Sequence, residues 1–346
     1  MAAGTEGDEP SLKYIGDFRL LLNGVDDASD EGSLRVRAGI DWTVSPGFHA
    51  VIRGATSAST SGNEWRVGSF PSAQTSAGLA PGSVTLDLAH LRYESASGLR
   101  LRIGRFQETL ALPAIPDKSL DRKDSDGTGI SYSDGISAEY PVGDGWSLLG
   151  IAQYQPDGGA TNRPREPLAF DDDGKPVSGY FALKKSDETG PWALASLSYS
   201  LYPDSLAESG RRGNYSGLVA NAMRRIPVEG VGKLLIGGSL GYAPDIPQPV
   251  PSASQAHAAW QVTANLVDFG PRDQGFGVVY MRTGAGWLLS PDLANGKWLA
   301  EARYRFRPVP RLTVEMRLRY RRDTEDPATG ATRETDRDWY LRLTWQ

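Results

Sequence analysis

The chain has 346 residues, a formal net charge of −5, an apolar share of 39 % and no cysteine. The acidic balance argues against a nucleic-acid partner, and no window approaches the roughly 20 apolar residues that a membrane helix needs. A mean hydropathy of −0.39 still leaves the membrane open, because only alternate residues of a transmembrane strand meet lipid.

Met1-Ala2-Ala3-Gly4 lacks the apolar core of a signal peptide. An exported protein would be represented here by its mature form with an added start methionine. Residues 1–11 read as a lead-in, and 12–346 as one domain. No helix of useful length is predicted, since alternation breaks at Gly, Pro, Asp and Asn clusters. Strands are predicted at 12–22, 33–44, 48–57, 83–94, 98–106, 130–140, 146–155, 177–185, 191–202, 213–225, 233–242, 257–268, 275–283, 297–306, 311–321 and 337–345. The pattern is plainest near the end. Leu312, Val314, Met316, Leu318 and Tyr320 alternate with Thr313, Glu315, Arg317, Arg319 and Arg321, a period of two with one apolar and one ionic face. Parity flips in 84–93 and between Leu194 and Leu197, and Phe269 stands off its apolar face. Each of these places calls for a bulge.

The connections alternate in length. Short ones fall at 45–47, 95–97, 141–145, 186–190, 226–232, 269–274 and 307–310, with longer ones between. The predicted fold is therefore all-β, a transmembrane antiparallel barrel of sixteen strands with short periplasmic turns and longer extracellular loops. Both termini fall on the short-turn side. Trp42, Phe48, Tyr140, Trp146, Phe276, Phe306, Tyr14 and Trp345 cluster beside the short turns or termini, as an interfacial aromatic girdle does. Trp298, Tyr320 and Trp339 begin the opposite girdle.

Sixteen strands enclose a water-filled channel, so function belongs to the lumen face. By parity that face collects Arg35, Arg37, Arg53, Arg100, Arg102, Arg303, Arg305, Arg317, Arg319 and Arg342, joined by Lys13 and Arg19. The inward acids read from the same parity are Asp17, Asp41, Glu301 and Glu315. Rings of arginine or lysine are how anion pores select. Glu108, Asp117, Asp121, Asp124 and Asp126 mark the loop 107–129, where acids opposite a basic wall would set a transverse field. Asp124 and Asp126 also resemble half of a calcium loop, without its remaining ligands. No cofactor is otherwise expected. Asp171, Asp172 and Asp173 form an acidic turn of the same unspecific kind. His49, His90 and His257 lie on different strands, and neither a nucleophile elbow nor a zinc-type His pair is present, so the chain does not read as an enzyme.

The segments Tyr14-Ile15-Gly16-Asp17-Phe18-Arg19-Leu20 and Leu99-Arg100-Leu101-Arg102-Ile103-Gly104-Arg105-Phe106 are similar to segments of Gram-negative outer-membrane porins, including phosphate-selective ones. The resemblance covers nearly the whole chain as a pattern of residue class. Porins usually end on an aromatic residue; here Trp345 is penultimate and Gln346 follows. The resemblance implies an outer-membrane location in contact with lipid and lipopolysaccharide, association as a homotrimer, and an inward fold of loop 107–129 that constricts the pore. The expected function is passive diffusion of small hydrophilic solutes and ions with a lean toward anions. A substrate-specific channel, or a receptor or adhesin barrel without a channel, is the alternative.

Overall fold

The computed structural model describes residues 10–25, 31–61, 64–68, 85–122, 133–154, 177–187, 189–206, 212–247, 257–270, 272–290, 293, 296–323 and 335–346. Its strands are β1 (Ser11–Val25), β2 (Glu31–Ser45), β3 (Phe48–Ser61), β4 (Glu64–Gly68), β5 (Thr85–Glu94), β6 (Arg100–Phe106), β7 (Ser133–Gly143), β8 (Trp146–Tyr154) and β9 (Val177–Lys185). They continue as β10 (Trp192–Leu206), β11 (Arg212–Val228), β12 (Gly232–Asp245), β13 (Ala258–Phe269), β14 (Gln274–Thr283), β15 (Lys297–Val309), β16 (Leu312–Asp323) and β17 (Thr335–Trp345). All sixteen predicted strands are present. The added one, β4, pairs with the far end of β3 beyond the stretch that pairs with β5. It lies in the predicted long connection 58–82, whose Ser- and Thr-rich run carries no apolar alternation to announce a strand.

The other sixteen strands close a ring of antiparallel ladders. β1 pairs with β2 on one side and with β17 on the other, Phe18 standing opposite Trp345. Closure removes the free edges that an open sheet would offer. The outer face is apolar all round, with Leu91 63 %, Leu240 69 % and Leu318 69 % exposed. So large an unbroken apolar band is a lipid contact and not a water-facing surface. Trp42, Phe48, Tyr140, Phe276 and Trp345 are exposed on that face, and Phe48 stacks on Tyr93 with ring centroids 4.6 Å apart.

Two of the three predicted irregularities are changes of register at the expected place. The β3–β5 ladder slips between Arg53 and Gly54, so that Asp87 turns inward where strict alternation would send it out. The break expected between Leu194 and Leu197 is absent: the β10–β11 ladder runs unbroken from Leu194 to Tyr202 and slips earlier, between Trp192 and Leu194, which leaves Ala193 and Leu194 both buried. The β13–β14 ladder slips between Val267 and Phe269, where Asp268 takes a positive φ of 57°.

The two halves of the interior differ. From β8 to β14 the inner face mixes apolar with uncharged polar side chains, Leu149, Ile151, Val219, Met223, Leu235, Val279 and Met281 lying buried among Ser198, Ser200 and Thr263. A rung of polar side chains crosses it. Asn221 donates to Ser196 (3.0 Å), Ser239 to Asn221 (2.5 Å) and Gln261 to Ser239 (2.9 Å). Such a surface would be a poor lining for water. Two long-loop segments cover it instead. Residues 107–122 run inward and bury Leu110, Leu112, Ile115 and Leu120; residues 284–290 bury Trp287, Leu288 and Leu289. Only the first of these is implied by the resemblance to porins, although a Trp-Leu-Leu run is too apolar for a loop that stays in water.

Candidate functional site

The uncovered part of the interior is the wall formed by β15, β16, β17, β1, β2, β3, β5 and β6. Its lumen face is set by register. Arg19 stands opposite Arg35, Arg303 opposite Arg317, and Arg92 opposite Arg102. Like charges directly opposite repel, so the wall needs carboxylates between them, and it has more than the four read from the sequence. Asp87, Asp336 and Asp338 also face inward. Asp87 escapes strict parity because of the β5 slip, whereas Asp338 shares parity with Tyr340 and Arg342 and could have been read from it.

Most of these carboxylates serve two arginines. Asp17 accepts from Arg35 (2.9 Å) and from Nε of Arg37 (2.6 Å). Asp87 accepts from Arg53 (2.8 Å) and more distantly from Arg37 (3.4 Å). Asp338 is shared by Arg317 and Arg319, the latter at 2.5 Å. Glu315 is shared by Arg342 (2.7 Å) and Arg303 (3.3 Å), and also accepts from the Tyr340 hydroxyl. A carboxylate between two guanidinium groups fixes both of their planes, and because Arg37 serves both Asp17 and Asp87, seven arginines answer these four acids, with Arg303 also paired to Glu301 and Asp117. Arg37, Arg53, Arg102, Arg317, Arg319 and Arg342 keep between 12 and 16 % of their side-chain surface open to the lumen, whereas Arg35 and Arg303 are closed off at 3 and 4 %.

Three members of the predicted wall sit apart from these groups. Arg100 lies beside the short turn 95–99, half-exposed, and pairs with Glu94 and Glu139 at 3.3 Å. It belongs to the mouth. Lys13 is exposed near the start of β1. Arg305 is half-buried on the inner face opposite Glu315.

The loop meets this wall at both ends. At its root, Arg53 donates to the Gln107 side chain (3.2 Å), and Arg102 donates to the Gln107 carbonyl (3.1 Å) and to the Glu108 carboxylate. At its tip, Asp117 pairs with Arg303 (2.8 Å) and Lys118 with Glu301 (3.7 Å), while the Ile115 amide donates to Asn265 (2.9 Å). The segment thus crosses from β6 to β15. Gly275 and Gly277 on β14 form its berth. A Cβ on Gly275 would collide with the Ile115 side chain, and one on Gly277 would come within 2.6 Å of the Pro116 ring. Gly241 on β12 does the same for the second segment, since a Cβ there would strike the Trp287 ring.

Asp121 is the loop's buried acid. It accepts from Ser198 (2.5 Å) and Tyr180 (3.2 Å). Burial dominates those contacts and pushes its carboxyl up to about 6. Among the predicted loop acids, Glu108 and Asp117 face arginines and Asp121 faces the apolar wall. Asp124 and Asp126 lie outside the described residues, as do Asp171 to Asp173. Among the described residues no cluster of three or more His, Asp or Glu is arranged to hold a metal ion.

No protein-family model and no curated protein matches the sequence. Solved structures do match the fold. OprB of Pseudomonas putida is 14 % identical, covering 96 % of this chain and 94 % of its own, with a TM-score of 0.63. The chain has the fold of the outer-membrane channels. OpdK of Pseudomonas aeruginosa, solved with vanillate, is 12 % identical over 96 % of this chain and 98 % of its own, with a TM-score of 0.60. OccK2 of the same organism, solved in complex with glucuronate, is 12 % identical over 97 % of this chain and 96 % of its own, at 0.53. The match spans the barrel from end to end, while the low identity leaves the wall's chemistry to be argued from this chain's own residues.

Proposed function

We propose that the chain is a passive channel of the Gram-negative outer membrane for small hydrophilic solutes, and that its wall favours small organic anions. The carrying observation is the sharing of Asp17, Asp87, Asp338 and Glu315 between two arginines each. A wall built this way is net positive at the water path, although the whole chain carries −5. Charges within a Debye length of about 8 Å dominate the field in a narrow lumen, so distant loop acids count for less. The guanidinium groups that keep 12 to 16 % of their side-chain surface open to the lumen can meet a passing carboxylate there. Vanillate and glucuronate, named with two of the neighbours, are carboxylates of that size. Glu108 and Asp117, paired with Arg102 and Arg303 where the loop meets the wall, bound the positive strip at its two ends.

The test is a planar bilayer under a potassium chloride gradient, followed by entry of glucuronate and of an uncharged sugar of similar size into liposomes. A reversal potential on the chloride side and faster glucuronate entry are expected. Cation selectivity of the parent protein, unaltered when Arg317 and Arg319 become alanine, would refute the anion reading.

A further inference from the structure

The lumen face from β15 across β16 to β17 is a stack of four rungs. The first runs Arg305, Glu315 and Arg342, and the third Glu301, Arg319 and Asp338. In the fourth, Arg321 stands opposite Asp336 and donates to it at 3.0 Å. Every arginine of these three rungs has a carboxylate directly across from it. The second rung departs from that rule. It runs Arg303, Arg317 and Tyr340, two cations side by side and an aromatic ring where the neighbouring rungs place an acid.

Like charges directly opposite each other repel, and this pair is held mainly by its surroundings. Arg303 reaches the acids Glu301 and Glu315 of the adjoining rungs, and Arg317 reaches Asp338. On its own rung Arg317 meets the Tyr340 ring. Its guanidinium carbon lies 4.1 Å from the ring centroid, and its Nε is buried with no hydrogen-bond partner among the described residues. Arg342 and Arg303 approach the same ring at 5.4 and 5.7 Å. All three fall inside the range of about 6 Å over which a ring face attracts a cation. The Tyr340 hydroxyl donates to Glu315, which also accepts from Arg303 and Arg342, so the ring is pinned at its far end. Tyr340 is buried behind the guanidinium groups, whereas Arg317 and Arg342 keep 12 and 16 % of their side chains open to the lumen.

A carboxylate at position 340 would also hold Arg317, but by cancelling its charge. A ring holds it through its quadrupole and subtracts nothing. We infer, on the reading of the wall as an anion path, that Tyr340 is the positioning residue of that path: it holds Arg317 and Arg342 in place at full charge and makes their rung the tightest station for a passing carboxylate.

The experiment uses planar bilayers carrying the parent, Tyr340→Leu, Tyr340→Phe, Arg317→Ala, or Arg317→Ala combined with Tyr340→Leu. Conductance is followed as potassium glucuronate is raised, and reversal potential is read in a potassium chloride gradient. Leucine keeps the charge and fills most of the space, so it would replace a ring that only packs. Tyr340→Leu should raise the half-saturating glucuronate concentration about threefold or more, leave the maximal conductance near the parent value, and move the reversal potential toward potassium. Tyr340→Phe, which keeps the ring and drops the hydroxyl, should restore the parent behaviour. In the Arg317→Ala background the leucine change should add almost nothing. Heat-modifiable mobility on a gel shows each barrel folded, and Tyr340→Met carries the same comparison if the leucine variant does not assemble. A leucine variant indistinguishable from the parent, equal losses from leucine and phenylalanine, or full additivity with Arg317→Ala overturns the assignment. The parent's own reversal potential judges the anion reading separately. A cation-selective parent defeats that reading, while the shift between parent and Tyr340→Leu still reports whether the ring governs the charge at Arg317.

Discussion

The two halves of the interior solve opposite problems with the same strand geometry. On the side of β15 to β17 and β1 to β6, inward arginines are held apart by shared carboxylates and border water. On the side of β8 to β14, inward residues are small or apolar and are roofed by two loop segments. On the proposed reading, one half makes the path and the other half anchors the segment that narrows it. A loop can stand across a lumen only if one wall offers it a berth, and the arginine wall could not, because burying its groups against Leu112 or Leu120 would cost their hydration.

The sharpest way to break this comparison is to remove the roof. Deleting residues 109–120 should raise single-channel conductance several-fold while the barrel remains folded, as read by heat-modifiable mobility on a gel. An unchanged conductance would mean that the segment does not limit the path. A subtler version leaves the loop in place and takes away its berth. Gly277→Val puts atoms where Pro116 sits and should cost about 1–3 kcal/mol of docking by overpacking, seen as a noisier and larger open current. The same substitution at Gly143, where an added Cβ would meet nothing within 4 Å but φ is +105°, would strain only a turn.

The arginine half is tested by charge. Asp338→Asn frees Arg317 and Arg319 of their shared acid and should move the reversal potential further toward chloride. Arg317→Ala with Arg319→Ala should move it the other way. Shifts of the same sign from both would show that these groups do not set the field at the path.

Asp121 gives the apolar half a pH dependence. Its carboxyl, pushed up to about 6 by burial, holds a proton more tightly when the loop is docked than when it is in water, where it would ionise near 3.8. Docking is thus favoured by protonation. The penalty for burying the charge is absent below about pH 4, grows as pH rises through 4 to 6, and is complete above 6. Two pKa units correspond to about 3 kcal/mol. Current noise from loop movement should fall between pH 7 and 5, and Asp121→Asn should abolish that change. The smallest effect is expected from Lys233 and Asp268, an exposed pair at 2.7 Å beside a short turn. Lys233→Ala should shift thermal stability by under about 1 kcal/mol and leave conductance alone.

The strand count and closure were legible because the lipid-facing half of every strand must be apolar, whatever its inner half does. That one constraint survives even where Ala193 and Leu194 are both buried. The arginine wall was legible for the same reason, by subtraction. What the sequence hid was the answer to each arginine. Asp87 is invisible to strict alternation because the β3–β5 slip reverses it. The second inward segment was hidden because position between strands says loop, and only Trp287, Leu288 and Leu289 say otherwise. The glycine berths could not be read at all, since Gly275 and Gly277 matter through a segment more than 150 residues earlier in the chain.

The β1–β17 ladder has a consequence for how such a chain is made. Phe18 meets Trp345, so the first strand formed must wait for the last before its second row of amides and carbonyls is satisfied. Until then both ends are templates for any other strand nearby, and contacts so distant in sequence form slowly. A chain stopped short of β17 would be left with β1 and β16 as open edges. The finished ring, once sealed, has no place at which unravelling can start without breaking a full ladder, which makes the folded barrel long-lived for reasons of kinetics as much as of equilibrium.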